Sequence, residues 1–153
     1  MATTAKVVFV CLHGAAKSVL AATLFGQEAT RARVPVEILA RGIEPDVEVS
    51  AAAAGGLLAE GLDIRGNRPC ALTPGDLVGA SRIIAFGCDV SGMAPPDVPV
   101  EQWAEVPAVS DGYARARAAV VSHFPDLLEA CRRCCSPPAR AADDAGSKAA
   151  VIS

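Results

Sequence analysis

Residues 6–18 read KVVFVCLHGAAKS, and this stretch decides the fold. Its first part, residues 6–10, is β-branched and aromatic and apolar on both faces, a pattern typical of a central strand in a parallel sheet. From Ser18 onward apolar residues recur near helical spacing, which predicts a helix that ends before Pro35. A strand, a short loop of small residues and a helix therefore follow one another.

The same alternation continues along the chain. The next predicted elements are a strand at Val36–Gly42, a helix at residues 50–60, a helix start at residues 73–74, a strand at residues 82–87 and a loop at residues 88–100. A last helix follows, which Ser110 or Asp111 could cap and in which Pro125 predicts a kink or a break.

Alternating strands and helices predict an α/β fold. We expect a single doubly wound domain at residues 1–135, with a four-stranded, mainly parallel sheet and helices on both faces. Residues 136–153 are rich in Pro, Ala and Asp without periodicity, so we expect a flexible tail there.

The overall composition limits the possible classes of function. The chain has 153 residues, of which 52% are hydrophobic and 20% charged, so one substantial core is expected. A formal net charge of -3 with scattered charges favours neither nucleic acid nor a membrane surface as a partner. No apolar stretch reaches the roughly 18 residues that span a bilayer, and the start of the chain does not resemble a signal peptide. We therefore expect a cytoplasmic protein.

Six cysteines in a reducing compartment indicate catalysis, redox exchange or metal binding rather than structural disulfides. Three of them, Cys131, Cys134 and Cys135, lie within about one helical turn. A structural zinc site usually needs four ligands in paired clusters, and no second Cys or His pair is nearby. We expect no metal and no cofactor; these thiols are interpreted as half-buried helix residues, with redox attack on Cys11 as the alternative.

The loop that begins at Cys11 carries the predicted chemistry. A loop between a strand and a helix directs its backbone amides to a common centre, and the first helical turn adds unpaired donors and the positive end of the helix dipole. Small residues let the backbone close around a ligand the size of phosphate. The expected anion-binding residues are Leu12, His13, Gly14, Ala15, Ala16, Lys17 and Ser18. The alternative is an ordinary turn that buries a cysteine.

Cys11 lies at the rim of this predicted anion site. The same donors would stabilise its thiolate and make it a nucleophile at neutral pH. Ser18 is placed to hydrogen-bond the thiolate, and Lys17 would add a positive charge, although without the two-pronged geometry of arginine. His13 is expected to contribute its backbone amide more than its imidazole.

Residues 8–18, VFVCLHGAAKS, resemble the Cys-x5-Arg-Ser phosphate loop of the low-molecular-weight protein tyrosine phosphatases and the related arsenate reductases. Further segments resemble this family in the same order along the chain. Ala40-Arg41-Gly42 resembles its Ser-Ala-Gly segment, and Gly61-Leu62-Asp63-Ile64 resembles its Gly-x-Asp-Ile segment. Residues 82–89 resemble its third strand and the loop after it, and residues 103–117 resemble its acid loop and last helix. The resemblance spans roughly residues 5–135. It implies the fold of this superfamily and a Cys11 nucleophile that forms a phosphocysteine intermediate.

Two positions depart from the family's pattern. Lys17 replaces the arginine that binds the transferring phosphoryl group. Arg41 could partly replace that arginine, although the interpretation of Arg41 as a solvated surface charge is favoured. Val106 stands where an aspartate normally protonates the leaving oxygen, a contribution worth roughly 10² to 10⁴ in rate. Glu105 is the first candidate to replace that acid, and Asp111 is the second. Each side chain could instead be a solvated charge, and Asp111 could also be a helix cap.

Three functions remain open. The first is a phosphatase of low activity that hydrolyses phosphate monoesters, such as phosphotyrosine, with Cys11, Lys17, Ser18 and Glu105 as catalytic residues. The second is an arsenate reductase in which an external thiol resolves arsenylated Cys11, because Cys88 is offset by one residue from the family's internal relay. The third is a catalytically weak protein that binds an oxyanion or a phosphorylated partner. The predicted partners are thus a small oxyanion or phosphorylated substrate and, for the reductase, a thiol.

Overall fold

The central strand forms where the apolar run predicts it. The computed structural model describes residues 4–135, and β1 runs over Ala5–Cys11 with every residue except Lys6 buried. The elements that follow are α1 (Lys17–Ala32), β2 (Val36–Gly42), α2 (Ala51–Ala59), α3 (Pro74–Leu77), β3 (Arg82–Ala85), β4 (Val100–Gln102), α4 (Tyr113–Val121) and α5 (Phe124–Cys135).

The strands form one sheet of order β2-β1-β3-β4 in which every pair is parallel. The predicted single α/β domain with a four-stranded parallel sheet is therefore confirmed. Because the strands are parallel, their carboxyl ends lie along one edge of the sheet, here called the carboxyl edge. The loops that follow β1, β2, β3 and β4 all start from this edge.

The two faces of β1 pack into separate apolar clusters. Phe9 contacts the ring of Phe25 in α1 and the indole of Trp103, with centroid separations of 6.1 and 5.9 Å, on the face that also holds apolar residues of α4 and α5. Val8 packs on the opposite face with Leu77 of the four-residue helix α3. Helices therefore lie on both faces, as predicted.

The last predicted helix is divided at the proline. A helix ends at Val121 and the next begins at Phe124, so Pro125 occupies the first turn of α5, where its missing amide donor costs no hydrogen bond. The predicted cap at Ser110 or Asp111 is wrong: both lie in a 3-10 turn, and Gly112 caps α4 without a side-chain hydrogen bond.

Two further predictions concern a flexible tail and the absence of a membrane-spanning segment. The flexible tail predicted at residues 136–153 lies outside the described residues. Among residues 4–135, no helix combines the length and the apolar character that crossing a bilayer would require.

Candidate functional site

The loop between β1 and α1 lies at the carboxyl edge of the central strand. Its carbonyl groups point away from the loop centre, because the segment after β2 donates backbone hydrogen bonds to them. The donor and acceptor pairs are Ile43 to Cys11 (3.2 Å), Glu44 to Leu12 (2.7 Å), Asp46 to His13 (3.0 Å) and Ser50 to Ala15 (2.7 Å). These hydrogen bonds hold the loop through its carbonyl groups, so its amide groups are directed toward the loop centre.

These amides lack acceptors. Within residues 4–135, no backbone N–H from Leu12 to Ala16 donates a hydrogen bond, although Gly14 and Ala15 are buried. Buried amides are paired in more than about 90% of cases, so unpaired buried amides indicate a place for a ligand.

The start of α1 adds to the same positive field. Ala16 occupies the N-cap without a side-chain hydrogen bond, and the first turn of the helix contains no acidic residue. No acidic residue of the first turn therefore neutralises the unpaired donors and the dipole of this 16-residue helix. We call Leu12–Ala16 with the first turn of α1 the anion cradle.

Two glycines permit the cradle's shape. Gly14 has a φ of +62°, and a Cβ atom on it would lie 2.8 Å from the backbone nitrogen of Gly42. Reciprocally, a Cβ on Gly42 would lie 2.6 Å from the nitrogen of Gly14. The loop therefore packs backbone to backbone against the end of β2, an approach that no residue with a side chain allows.

The thiol of Cys11 lies at the base of this loop and is hydrogen-bonded to the side chain of Ser18. Its Sγ is 3.1 Å from the Oγ of Ser18, and both residues are buried, with 7% and 0% of their surfaces exposed. In the thiolate form, Ser18 is the donor. The predicted pairing of Cys11 with Ser18 thus exists in the structure.

Lys17 is half-buried at the first position of α1. Its ammonium group makes no hydrogen bond or ion pair with residues 4–135. Arg41, the cation considered as a substitute for the family's arginine, is already paired: its Nε lies 3.0 Å from the Oδ2 of Asp76, and its Nη1 donates to the carbonyl of Ala40 at 2.9 Å. Asp76 in turn caps the amide of Thr73, so this ion pair belongs to the start of α3.

Glu105 lies in the loop after β4, and its carboxylate accepts a hydrogen bond from the imidazole of His123. That imidazole stacks on the indole of Trp103, with ring centroids 4.1 Å apart and planes 10° from parallel. The hydrogen bond from His123 lowers the pKa of the Glu105 carboxyl. At neutral pH this carboxyl is therefore ionised and carries no proton for a leaving group. Val106, its neighbour, is buried in the core with 2% of its surface exposed.

His13 and Asp111 complete the predicted candidates. The Nδ1 of His13 lies 3.2 Å from the carbonyl of Glu44 and 3.4 Å from the Oδ1 of Asp46. The imidazole thus faces the segment after β2. Asp111 is exposed at the end of the 3-10 turn.

Cys88 lies beside the cradle, which the sequence spacing did not indicate. Its Sγ donates to the carbonyl of Val10 at 3.4 Å, one residue before Cys11. Burial raises the pKa of the Cys88 thiol, and the charge of Cys11 raises it further. The cause of this proximity is the pairing of β1 with β3, since the amide of Phe86 donates to the same carbonyl at 3.0 Å.

Comparisons with known proteins support the fold. No protein-family model and no curated protein sequence matches the chain. Among solved structures, a thioredoxin-dependent arsenate reductase from Corynebacterium glutamicum is similar over 85% of this chain, with 20% identity and a TM-score of 0.68; this chain spans 63% of that protein's length.

Phosphatases are among the similar structures as well. A low-molecular-weight protein tyrosine phosphatase from Bacillus subtilis shows 16% identity and a TM-score of 0.69, with 84% of this chain and 97% of that chain covered. A low-molecular-weight phosphotyrosine phosphatase from Vibrio cholerae shows 16% identity and a TM-score of 0.72, again with 84% of this chain and 97% of that chain covered. The resemblance that the sequence showed is thus confirmed at the level of the fold.

Proposed function

From the fold that this chain shares with the low-molecular-weight protein tyrosine phosphatase and arsenate reductase superfamily, we propose that it is a slow phosphatase. It would hydrolyse phosphate monoesters through a thiophosphate on Cys11. The observation that carries this proposal is the set of amides from Leu12 to Ala16, which have no partner among residues 4–135, around a buried thiol. The fold alone would fit several functions.

In the first step the Sγ of Cys11 attacks phosphorus opposite the ester oxygen. The S–P bond forms as the P–O bond to the leaving group breaks, and the leaving oxygen takes the electron pair. The cradle amides donate to the three non-bridging oxygens, where negative charge is held in the transition state. Ser18 donates to the thiolate before attack, and Lys17 supplies the free positive charge.

Neither Val106 nor Glu105 supplies a proton to the leaving oxygen. Val106 is apolar and buried, and the Glu105 carboxylate is held by His123. Loss of a general acid costs roughly 10² to 10⁴ in rate. The enzyme would therefore act best on esters whose leaving oxygen is stable as an anion, such as aryl phosphates.

In the second step water attacks the thiophosphate. The new P–O bond forms as the S–P bond breaks, which releases inorganic phosphate and restores the Cys11 thiolate. Since a thiol nucleophile needs a reducing compartment, we propose a cytoplasmic location.

Turnover of p-nitrophenyl phosphate by the wild type and by Cys11→Ser tests this proposal. Cys88→Ser is the matched control, because it replaces a neighbouring thiol that the mechanism does not use. We expect Cys11→Ser to lose all turnover above background and Cys88→Ser to keep it. Equal rates for the wild type and Cys11→Ser would overturn the phosphatase. Phosphate binding that persisted without turnover would indicate a protein that only binds the oxyanion.

The position of Cys88 favours arsenate reduction as a second candidate. Cys11 would attack arsenate and form an S–As bond with loss of water. The thiol of Cys88 would then attack the Cys11 sulfur, so that the disulfide forms and arsenic leaves as arsenite with the electron pair. An external thiol would reduce the disulfide. Arsenate-dependent consumption of thiol that needs both cysteines would support this function, and its absence with every reductant tested would remove it.

A further inference from the structure

Negative side chains lie on one side of the anion cradle. The segment after β2, residues 43–50, contains Glu44, Asp46 and Glu48 and neither lysine nor arginine. All three carboxylates are exposed. We call these three residues the acidic rim.

The acidic rim is fixed to the cradle by backbone hydrogen bonds. The amide of Glu44 donates to Leu12 at 2.7 Å and that of Asp46 to His13 at 3.0 Å. The Asp46 carboxylate lies 3.4 Å from the imidazole of His13. The Asp46 charge therefore stands within a few ångströms of the loop that binds the anion.

The loops after β3 and β4 carry the same sign. Residues 86–91 contain Asp89 and residues 103–111 contain Glu105 and Asp111, and neither segment has a lysine or an arginine. Hydrogen bonds from Ser91 lower the pKa of Asp89, so this carboxylate is ionised at neutral pH. Against these charges, the loop after β1 contributes one lysine, Lys17, and one histidine, His13. Arg41, whose guanidinium is paired with Asp76, and Arg68 line a cavity with Gly14. Arg65 and Arg68 line a second cavity with Glu48.

Apolar side chains are exposed at the same rim. Leu12 of the cradle has 46% of its surface exposed, and Val47, between Asp46 and Glu48, has 80%. A small inorganic anion would not contact such side chains. Exposed apolar residues beside a polar site are typical of a surface that contacts a polypeptide.

The cradle and the acidic rim impose opposite requirements on a ligand. Unpaired amides bind an oxyanion, while the carboxylates of the acidic rim repel a free dianion and attract cations. One kind of ligand satisfies both: an anionic phosphoryl group on a chain whose neighbouring residues are basic.

We propose that the acidic rim selects phosphorylated segments of basic proteins, in which lysine or arginine flanks the phosphorylated residue. This inference rests on the proposed function, since the cradle must hold the phosphoryl group. The flanking cations would pair with Glu44, Asp46 and Glu48, and an apolar flanking residue would pack on Leu12 or Val47.

The test is the affinity of Cys11→Ser for two phosphotyrosine peptides that differ only in flanking residues, four lysines in one and four glutamates in the other. Cys11→Ser allows binding without turnover. Each exposed ion pair contributes little, so we expect the lysine peptide to bind about tenfold more tightly in low salt. This preference should shrink at physiological salt, where the Debye length is about 8 Å.

Charge removal identifies the residues responsible. Adding Glu44→Gln, Asp46→Asn and Glu48→Gln to Cys11→Ser should abolish the preference and tighten binding of inorganic phosphate. A variant with Glu44→Gln and Glu48→Gln alone keeps Asp46 beside His13 and should lose part of the preference. The control, with Glu28→Gln, Glu37→Gln and Asp97→Asn, removes three carboxylates outside the rim, of which Glu28 is half-buried and paired with Arg31, and should behave as Cys11→Ser.

The outcomes separate the two proposals. Equal affinity for both peptides would overturn the role of the rim and leave the phosphatase standing. Binding of neither peptide, together with no turnover of p-nitrophenyl phosphate by the wild type, would overturn both. A preference that the control variant lost equally would also refute the rim, because general surface charge would then explain it.

Discussion

Replacing Gly42 by alanine tests whether the backbone contact behind the cradle sets its shape. The added Cβ would lie 2.6 Å from the nitrogen of Gly14 and 2.7 Å from the carbonyl carbon of His13. Both are backbone atoms, so no side-chain rotation can relieve the contact. The loop would have to retreat by about 0.8 Å to lengthen the 2.6 Å approach to an ordinary 3.4 Å contact.

This displacement predicts two measurable effects. Overpacking costs typically about 1–3 kcal/mol, which for a chain of this size lowers Tm by roughly 3–10 °C. Moving the cradle donors by nearly an ångström should reduce kcat/KM on the order of 10²-fold. Thermal unfolding and turnover of p-nitrophenyl phosphate measure the two effects separately.

Gly55→Ala is the matched control. A Cβ on Gly55, within α2, would meet no atom within 4 Å. Alanine favours a helix interior over glycine by about 0.5–1 kcal/mol, so this variant should be as stable as the wild type or more so, with unchanged kcat/KM. The reasoning is refuted if Gly42→Ala keeps the wild-type kcat/KM, because the cradle would then not depend on this contact.

The remaining predictions concern catalysis, folding and titration. Lys17→Arg should raise turnover of aryl phosphates, since a guanidinium can hold two phosphoryl oxygens; a lower rate would count against Lys17 as the phosphoryl-binding cation. Thr73→Ala removes the side-chain arm of the capping box at α3, in which the Thr73 hydroxyl accepts from the amide of Asp76, and should cost about 1 kcal/mol in urea unfolding; an unchanged midpoint would contradict this. Burial and the Glu60 carboxylate raise the pKa of Tyr113 to about 12. Since Tyr113 is the single tyrosine, its absorbance titration should fall toward about 10 in Glu60→Gln; no fall would refute that contact. Hydrogen bonds from Arg117 and Tyr113 lower the pKa of Glu60, so wild-type stability should drop as the pH falls below the ordinary glutamate pKa, and Glu60→Gln should weaken this dependence.

The sequence predicted the central strand, the loop and the first helix because each depends on neighbouring residues. An apolar run, small residues and helical spacing are local signals, and β1 and α1 follow them. The break at Pro125 is local as well. The contact of Cys11 with Ser18 joins residues seven positions apart across one loop, which made it predictable.

Contacts between distant segments could not be predicted. His123 reaches Glu105 across 18 positions and Arg41 reaches Asp76 across 35, and in both cases the partner determines what the charge can do. Cys88 reaches the carbonyl of Val10 across 78 positions, through the pairing of β1 with β3. These contacts weaken Glu105 and Arg41 as catalytic candidates and strengthen Cys88.

A fourth strand was expected, but its position was not predicted, for a different reason. β4 has three residues, Val100–Gln102, all of them exposed. A strand this short shows no alternation of apolar and polar residues, and the prolines before it favour a loop. This segment is a strand because it pairs with β3. No local sequence pattern indicates that pairing.

Trapping the covalent intermediate tests the central claim most directly. The wild type, Cys11→Ser and Cys88→Ser would each be mixed with p-nitrophenyl phosphate, quenched in acid and analysed by peptide mass spectrometry. We predict a phosphoryl group on Cys11 in the wild type and in Cys88→Ser, and none in Cys11→Ser. Turnover with no phosphoryl group on Cys11, or with the group on another residue, would contradict the account.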